Sequence, residues 1–413
     1  MTCRHCLLLM SCLLLCSLPH LALAQQWTRF RGPNGAGLSD ATGIPVTWTA
    51  ADYRWRVKLP GIGHSSPVVA GERIFVTSAI EDDATRIVRC LNVADGGLIW
   101  KRSFDSTTYE KNKLNGYMVS TPALDAECVY MTWTTPREYT AVALTQDKGR
   151  LLWQRSVGQF ESQHGSGASP ILFEEMLILV NDQLGASSAI GLDRATGKTR
   201  WKIDRRAVKA AYSTPCIYRP KNGEPQLILS STAHGMSSHD PHTGRTNWEL
   251  DVFQNRVVSS PVIAGGLIFA SAGVGGGGRE MVAVAPGDAE KGIEAKVAYE
   301  IEGSLPYVPT SVARGELLFL WSDQGVVTCL DAPSGKIHWR ERVGGRFFGS
   351  PVCVGDRLYC MSREGQMIVL AAAEKYKLLA EIDLEEPSCA TPSIADGVMY
   401  LRTTGHLMAI GGE

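Results

Sequence analysis

The chain has 413 residues, 44% apolar and 20% charged, which is ample for a large buried core. Its 41 basic and 42 acidic side chains leave a formal net charge of −1 with no basic run, which excludes an electrostatic binder of nucleic acid or of an anionic membrane surface. Glycine supplies 42 residues, about a tenth of the chain, as a fold built on many tight turns requires.

Residues 1–24 differ from the rest. Arg4 and His5 precede an apolar run from Cys6 to Cys16, followed by Pro19 and Ala22-Leu23-Ala24, the pattern of a signal peptide cleaved after Ala24. A secreted or periplasmic protein is expected. Seven cysteines follow this segment (Cys90, Cys128, Cys216, Cys329, Cys353, Cys360 and Cys389), mostly inside apolar runs such as Val352-Cys353-Val354. Buried thiols are expected there rather than a disulfide framework.

Residues 25–52 carry WTRFRGPNGAG, Trp27 to Gly37, in which Pro33, Gly35 and Gly37 forbid a helix. The segment reads as an ordered extension packed on the domain at 53–413. That domain begins with a strand, Tyr53 to Leu59, containing Trp55: the end of a repeat without its beginning.

The repeat itself then recurs. A Ser or Thr followed by proline opens a β-rich run at Pro67, Pro122, Pro170, Pro215, Pro261, Pro351 and Pro392, and a worn copy has Ser311 in the proline's place. The marks are 40 to 55 residues apart, a spacing that means a propeller, solenoid or array. Within each unit a tight turn containing glycine is followed four residues later by tryptophan, as in GLDRATGKTRW ending at Trp201. Trp55, Trp100, Trp153, Trp201, Trp248 and Trp339 are the blade-docking set, with Tyr299 and Leu379 at the two worn places. Trp133 lies outside this position and is expected to matter less. The last unit, opened at Thr391-Pro392, lacks its tryptophan strand, and the fragment at 53–59 supplies one. The prediction is all-β: one eight-bladed β-propeller of four-stranded blades, its ring closed by the N-terminal strand completing the C-terminal blade.

This repeat, with its following S-P-V strand, resembles the tryptophan-docking repeat of the quinoprotein propellers. That superfamily includes pyrroloquinoline-quinone-dependent alcohol dehydrogenases and the non-enzymatic outer-membrane assembly factor BamB. The start FRGPNG, Gln163-His164-Gly165-Ser166-Gly167, Asn181-Asp182-Gln183, Tyr307-Val308-Pro309 and Leu401-Arg402-Thr403 look like the secreted PQQ-like repeat proteins of planctomycete-type bacteria. Resemblance to the enzymes implies a vicinal disulfide over the quinone, a calcium held by hard oxygens and an acidic base. This chain has no Cys-Cys pair.

Other signals read as structural. His234, His239 and His242 cluster in sequence, but His239 falls at the repeat position of Leu192 and Leu330, so no metal site is expected. Gly273 to Gly278 is a hairpin loop rather than a phosphate cradle, and Asp182 and Asp323 are turn formers. Residues just before each innermost strand should gather at one mouth of the central channel. That set is His64, Tyr117, His164, Tyr212, Arg256, Tyr307, Arg346 and Phe348, either plugging the channel or lining a ligand site.

The favoured expectation is a secreted, monomeric, non-catalytic scaffold that binds a protein or cell-envelope macromolecule, with no catalytic residue, cofactor or metal. The alternative is a true or degenerate PQQ-dependent oxidoreductase using quinone and calcium. A second alternative is a carbohydrate- or peptide-active enzyme at the channel mouth.

Overall fold

The computed structural model describes residues 26–275 and 277–412, so the signal-peptide reading of 1–24 lies outside the described residues. Eight antiparallel sheets surround a central axis. Blade 1 sets the pattern, with Val68–Ala70 innermost, then Arg73–Ala79, Arg86–Asn92 and, outermost, Leu98–Phe104. The middle strands are covered on both faces by neighbouring blades, so they read as unbroken apolar runs; Met176–Asn181 is buried at every position. The outermost strands have one edge in solvent and alternate.

Five of the six tryptophans of the docking set hydrogen-bond the next blade. The indole Nε1 of Trp55 donates to the Val93 carbonyl at 2.9 Å, Trp100 to Gln146 at 2.8 Å, Trp153 to Arg194 at 2.9 Å, Trp201 to Pro241 at 3.0 Å and Trp339 to Ala373 at 2.9 Å. Trp248 departs from this and bonds Gln226 Oε1 in its own blade at 2.9 Å. The motif glycine is where the preceding blade's ring lands: a Cβ at Gly149, already at φ +62°, would lie 2.6 Å from the ring of Trp100. The outermost strands carrying Trp100, Trp153, Trp201, Trp248 and Trp339 also slip register immediately before the tryptophan, as between Gly191↔Trp201 and Leu192↔Thr199. This one-residue bulge turns the indole out of its own sheet and toward the neighbour. The worn copy keeps the bond, since the Tyr299 hydroxyl donates to the Ala332 carbonyl.

Trp55–Lys58 pairs antiparallel with His406–Gly411, in the register Trp55↔Ala409 to Lys58↔His406, so the last blade is built from both ends of the domain. Trp133 corrects an expectation. It is 4% exposed and packs on Phe104 with ring centroids 5.0 Å apart, a core residue in its own right.

Candidate functional site

The hydroxyl residue before each inner strand has a task beyond starting it. The backbone N–H of each mark donates to the hydroxyl of the next: Ser66 to Thr121 at 2.9 Å, Thr121 to Ser169 at 3.0 Å, Ser169 to Thr214 at 3.1 Å, Thr214 to Ser260 at 3.0 Å. The series continues from Ser260 to Thr310 at 3.0 Å, Thr310 to Ser350 at 2.9 Å and Ser350 to Thr391 at 3.0 Å. These bonds form a belt around the axis. It opens at the seam between the last and first blades, where Ser66 Oγ is buried without a partner and Arg402 Nη1 instead donates to Ser65 O at 2.9 Å and Ser65 Oγ at 2.6 Å.

The N-terminal extension closes one end of the channel. Trp27 bridges Val69, Leu124 N–H donates to Thr28 O at 2.7 Å, and Asn34 exchanges two bonds with the Ile217 backbone at 2.8 Å each. Leu38–Ser39 runs parallel to the inner strand Val352–Val354. Arg31 is 0% exposed, and its guanidinium donates to the carbonyls of Thr310, Ser311 and Pro351 as well as Gly35 and Ala36. Arg29 Nη2 reaches Pro215 O at 2.8 Å. All these inner-strand partners fall at or after the belt residue, whereas the mouth residues precede it. The extension therefore makes a floor opposite the mouth. Burial presses Arg29 to about 10 and Arg31 and Arg402 to about 9, so all three remain cationic at neutral pH.

What remains is a cup of about 390 Å³. Phe30 of the extension and the hydroxyl residues Thr121, Ser169, Thr214, Ser260, Thr310, Ser350 and Thr391 line it together with His64, His164, Tyr212, Arg256, Tyr307 and Phe348. Two members of the expected mouth set stand elsewhere. Tyr117 is 7% exposed and packs edge-on to Tyr109 at 5.1 Å, beneath Lys111 and Arg86. Arg346 is outside the lining and pairs with Glu364 at 2.8 Å.

Among the described residues no aspartate or glutamate lines the cup. Arg256 Nη1 donates to His164 Nε2 at 2.7 Å, and burial with this guanidinium lowers the histidine's pKa. Burial, then Arg402 and Lys111, press His64 down to about 4, so its ring is neutral at pH 7. The Tyr212 hydroxyl shares a 2.6 Å bond with Ser162. Asp182 and Asp323 are more than turn formers. Asp182 holds the buried Arg205 at 2.7 Å while its carbonyl accepts from Ala211, next to Tyr212; Asp323 accepts from the amides of Tyr307 and Val308 and from Arg279. Both brace mouth segments.

The three clustered histidines do not converge: His234 pairs with Glu249 at 2.7 Å, His239 bonds Ser237 and the Gly244 carbonyl, and His242 packs on Phe173. Among the described residues no group of three or more His, Cys, Asp or Glu could hold a metal, and the seven cysteines are unpaired. No described helix is long and apolar enough to cross a membrane. The belt and Phe30 are lining residues that the sequence reading missed. The available signal was the constant hydroxyl before the proline, retained at Thr310 where the proline itself is lost.

The fold is shared with solved structures at low identity. BamB from Moraxella catarrhalis superposes with a TM-score of 0.64 at 13% identity, covering 86% of this chain and 95% of that one. Quinohemoprotein alcohol dehydrogenase from Comamonas testosteroni gives 0.69 at 13% identity, covering 94% and 80%. A polyvinylalcohol dehydrogenase of Pseudomonas sp is 27% identical over 202 residues, 44% of this chain but only 29% of that protein, so the match spans under a third of that relative. The family model described as outer membrane protein assembly factor BamB matches residues 84–306 and 300–378, more than half of the chain, which therefore belongs to this family of PQQ-like β-propellers.

Proposed function

We propose that this propeller is a non-catalytic binding scaffold of the cell envelope, whose mouth face engages a protein or other macromolecule. The observation that supports it is the lining of the cup: aromatic, hydroxyl and cationic groups for recognition, and no carboxylate to act as general acid or base. A rigid disk with one end of its channel sealed by its own extension offers a single mouth. To test this, a photo-crosslinking residue is placed at Lys113 or Gln163 on the mouth side, or at Lys221 beside the opposite end of a blade, in the native host. One adduct formed from the mouth positions alone supports the reading; adducts from none of them, or equally from Lys221, overturn it.

The second reading, a quinone-dependent oxidoreductase, is favoured by the 27% identity with the polyvinylalcohol dehydrogenase segment. The residues fit it poorly. Arg256 and the belt could receive quinone carboxylates, but calcium needs hard oxygen ligands including carboxylates, and the lining has none. Calorimetry with pyrroloquinoline quinone, with and without calcium, is expected to give no saturable heat. Stoichiometric micromolar binding accompanied by alcohol or sugar oxidation would put the enzyme first.

A further inference from the structure

The belt leaves a chemical asymmetry inside the cup. Each of its seven lining hydroxyls accepts a backbone N–H bond, and among the described residues none donates one in return. A hydroxyl that accepts such a bond is polarised toward donation, so the wall presents a row of O–H groups with uncommitted protons. The nearby amide of Asn115 is occupied, its Nδ2 by the carbonyls of His164 and Ser166 and its Oδ1 by Gly116 N–H. Among the described residues Arg256 has no carboxylate partner: its Nη1 bonds the His164 ring and its Nη2 makes a 3.5 Å contact with Gln163. In the floor, Arg29 and Arg31 are met by backbone carbonyls, and at the seam beside His64 Arg402 has Nε and Nη2 buried without partners among the described residues. Arg256 is thus the charged side chain that faces the cup, and the wall around it is rich in O–H donors.

We propose that the cup is a carboxylate-binding site, holding the anionic head against the hydroxyl belt and Arg256 and the apolar body among Tyr212, Tyr307 and Phe348. A monoanion matches the single full cation of the lining, whereas a phosphate dianion calls for clustered Arg or Lys. A neutral sugar would leave the Arg256 charge without a counter-ion. The carboxylate can come from a small aromatic acid or from the acidic end of a peptide, which share this chemistry. The inference rests on the mouth as a binding face and names what enters it.

The test titrates the purified mature protein with 4-fluorophenylpropionate, followed by ¹⁹F line broadening, beside its amide, the corresponding amine and inorganic phosphate. The acid is expected to bind saturably, the amide at least about ten-fold more weakly, and the amine and phosphate not at all. Arg256→Met should weaken the acid at least about ten-fold, while Arg346→Met leaves it unchanged. Thr214→Val removes one hydroxyl and should weaken it several-fold; if that variant unfolds, Phe348→Ala reads the same cup through the body of the ligand. A short peptide with a free C-terminus, compared with its amidated form, identifies the source: tighter than the small acid means a chain end, weaker means a free acid. Equal affinity for acid and amide, tighter binding of phosphate, or indifference to Arg256→Met overturns the proposal. Acid binding without mouth-side crosslinks would keep the site and remove the macromolecular reading; crosslinks without acid binding would do the reverse.

Discussion

Trp201→Ala tests whether the blades are held by indoles crossing from one sheet into the next. The side chain is 7% exposed, bonds Pro241 O at 3.0 Å, and lies against Gly244 of the following blade, where a Cβ would be 2.9 Å from Cε3. Emptying a buried aromatic site costs about 3–5 kcal/mol, and the stranded Pro241 carbonyl adds about 1 kcal/mol. Trp201→Phe keeps most of the ring but not the N–H and should lose about 1–2 kcal/mol. Gly244→Ala has two costs, the strain of a side chain at φ +77° and the collision with the ring. Removing the indole abolishes only the second. The double variant should therefore be less destabilised than the two singles combined, by at least about 1 kcal/mol, read from denaturant midpoints by circular dichroism. Additive losses would refute the claim that this glycine is kept small for the neighbour's tryptophan.

Trp133→Ala should cost about as much as Trp201→Ala, roughly 3–5 kcal/mol in the same titration, because its ring is equally enclosed. Arg31→Met leaves the carbonyls of Thr310, Ser311 and Pro351 without donors and should lower stability by several kcal/mol, about 1–3 for each buried group, as measured by thermal denaturation. His64 and His239 are each pressed from 6.5 to about 4, His64 by burial and then Arg402, His239 by burial and then Arg205. The unfolded chain therefore takes up protons first: the stability is fully present above about pH 6.5 and is lost as pH falls toward 4, by roughly 1–2 kcal/mol for His64 after allowance for its contact with the solvated cup. His64→Gln should flatten that slope in melts taken across the interval. Deleting residues 25–60 should expose the edge of His406–Gly411 and produce aggregation or a broadened unfolding transition in light scattering and calorimetry.

The architecture was legible because its rules are local and repeated. A turn glycine, a tryptophan four residues on and a hydroxyl-proline step each announce themselves in a short window, and the unmatched halves at Trp55 and Thr391 announce closure. The site was only half legible. Position relative to the proline brought His64, His164, Tyr212, Arg256, Tyr307 and Phe348 to the cup, but it could not tell that Tyr117 is buried against Tyr109 under Lys111 or that Arg346 is drawn to Glu364. Those outcomes depend on side chains about 20 residues away or on neighbouring segments, with no local mark. The extension was read as a surface cover because Pro33 and the glycines say only what it is not. Its deep anchorage through Arg31 comes from carbonyls some 280 to 320 residues distant.

The blade shared by Trp55–Lys58 and His406–Gly411 bears on how such a chain can be made. A vectorially synthesised polypeptide offers the first of these strands early and must wait for nearly everything else before its mate appears. Joining strands about 350 residues apart carries a loop-closure cost of about 5 kcal/mol beyond the local steps. Until then the nascent ring has two raw edges, each a template for another molecule's strand. A truncated product, whether from premature termination or a nick that releases the last hairpin, leaves a broken circle rather than a smaller protein. Closure of this ring is thus all or none, decided by whether the strand His406–Gly411 meets Trp55–Lys58.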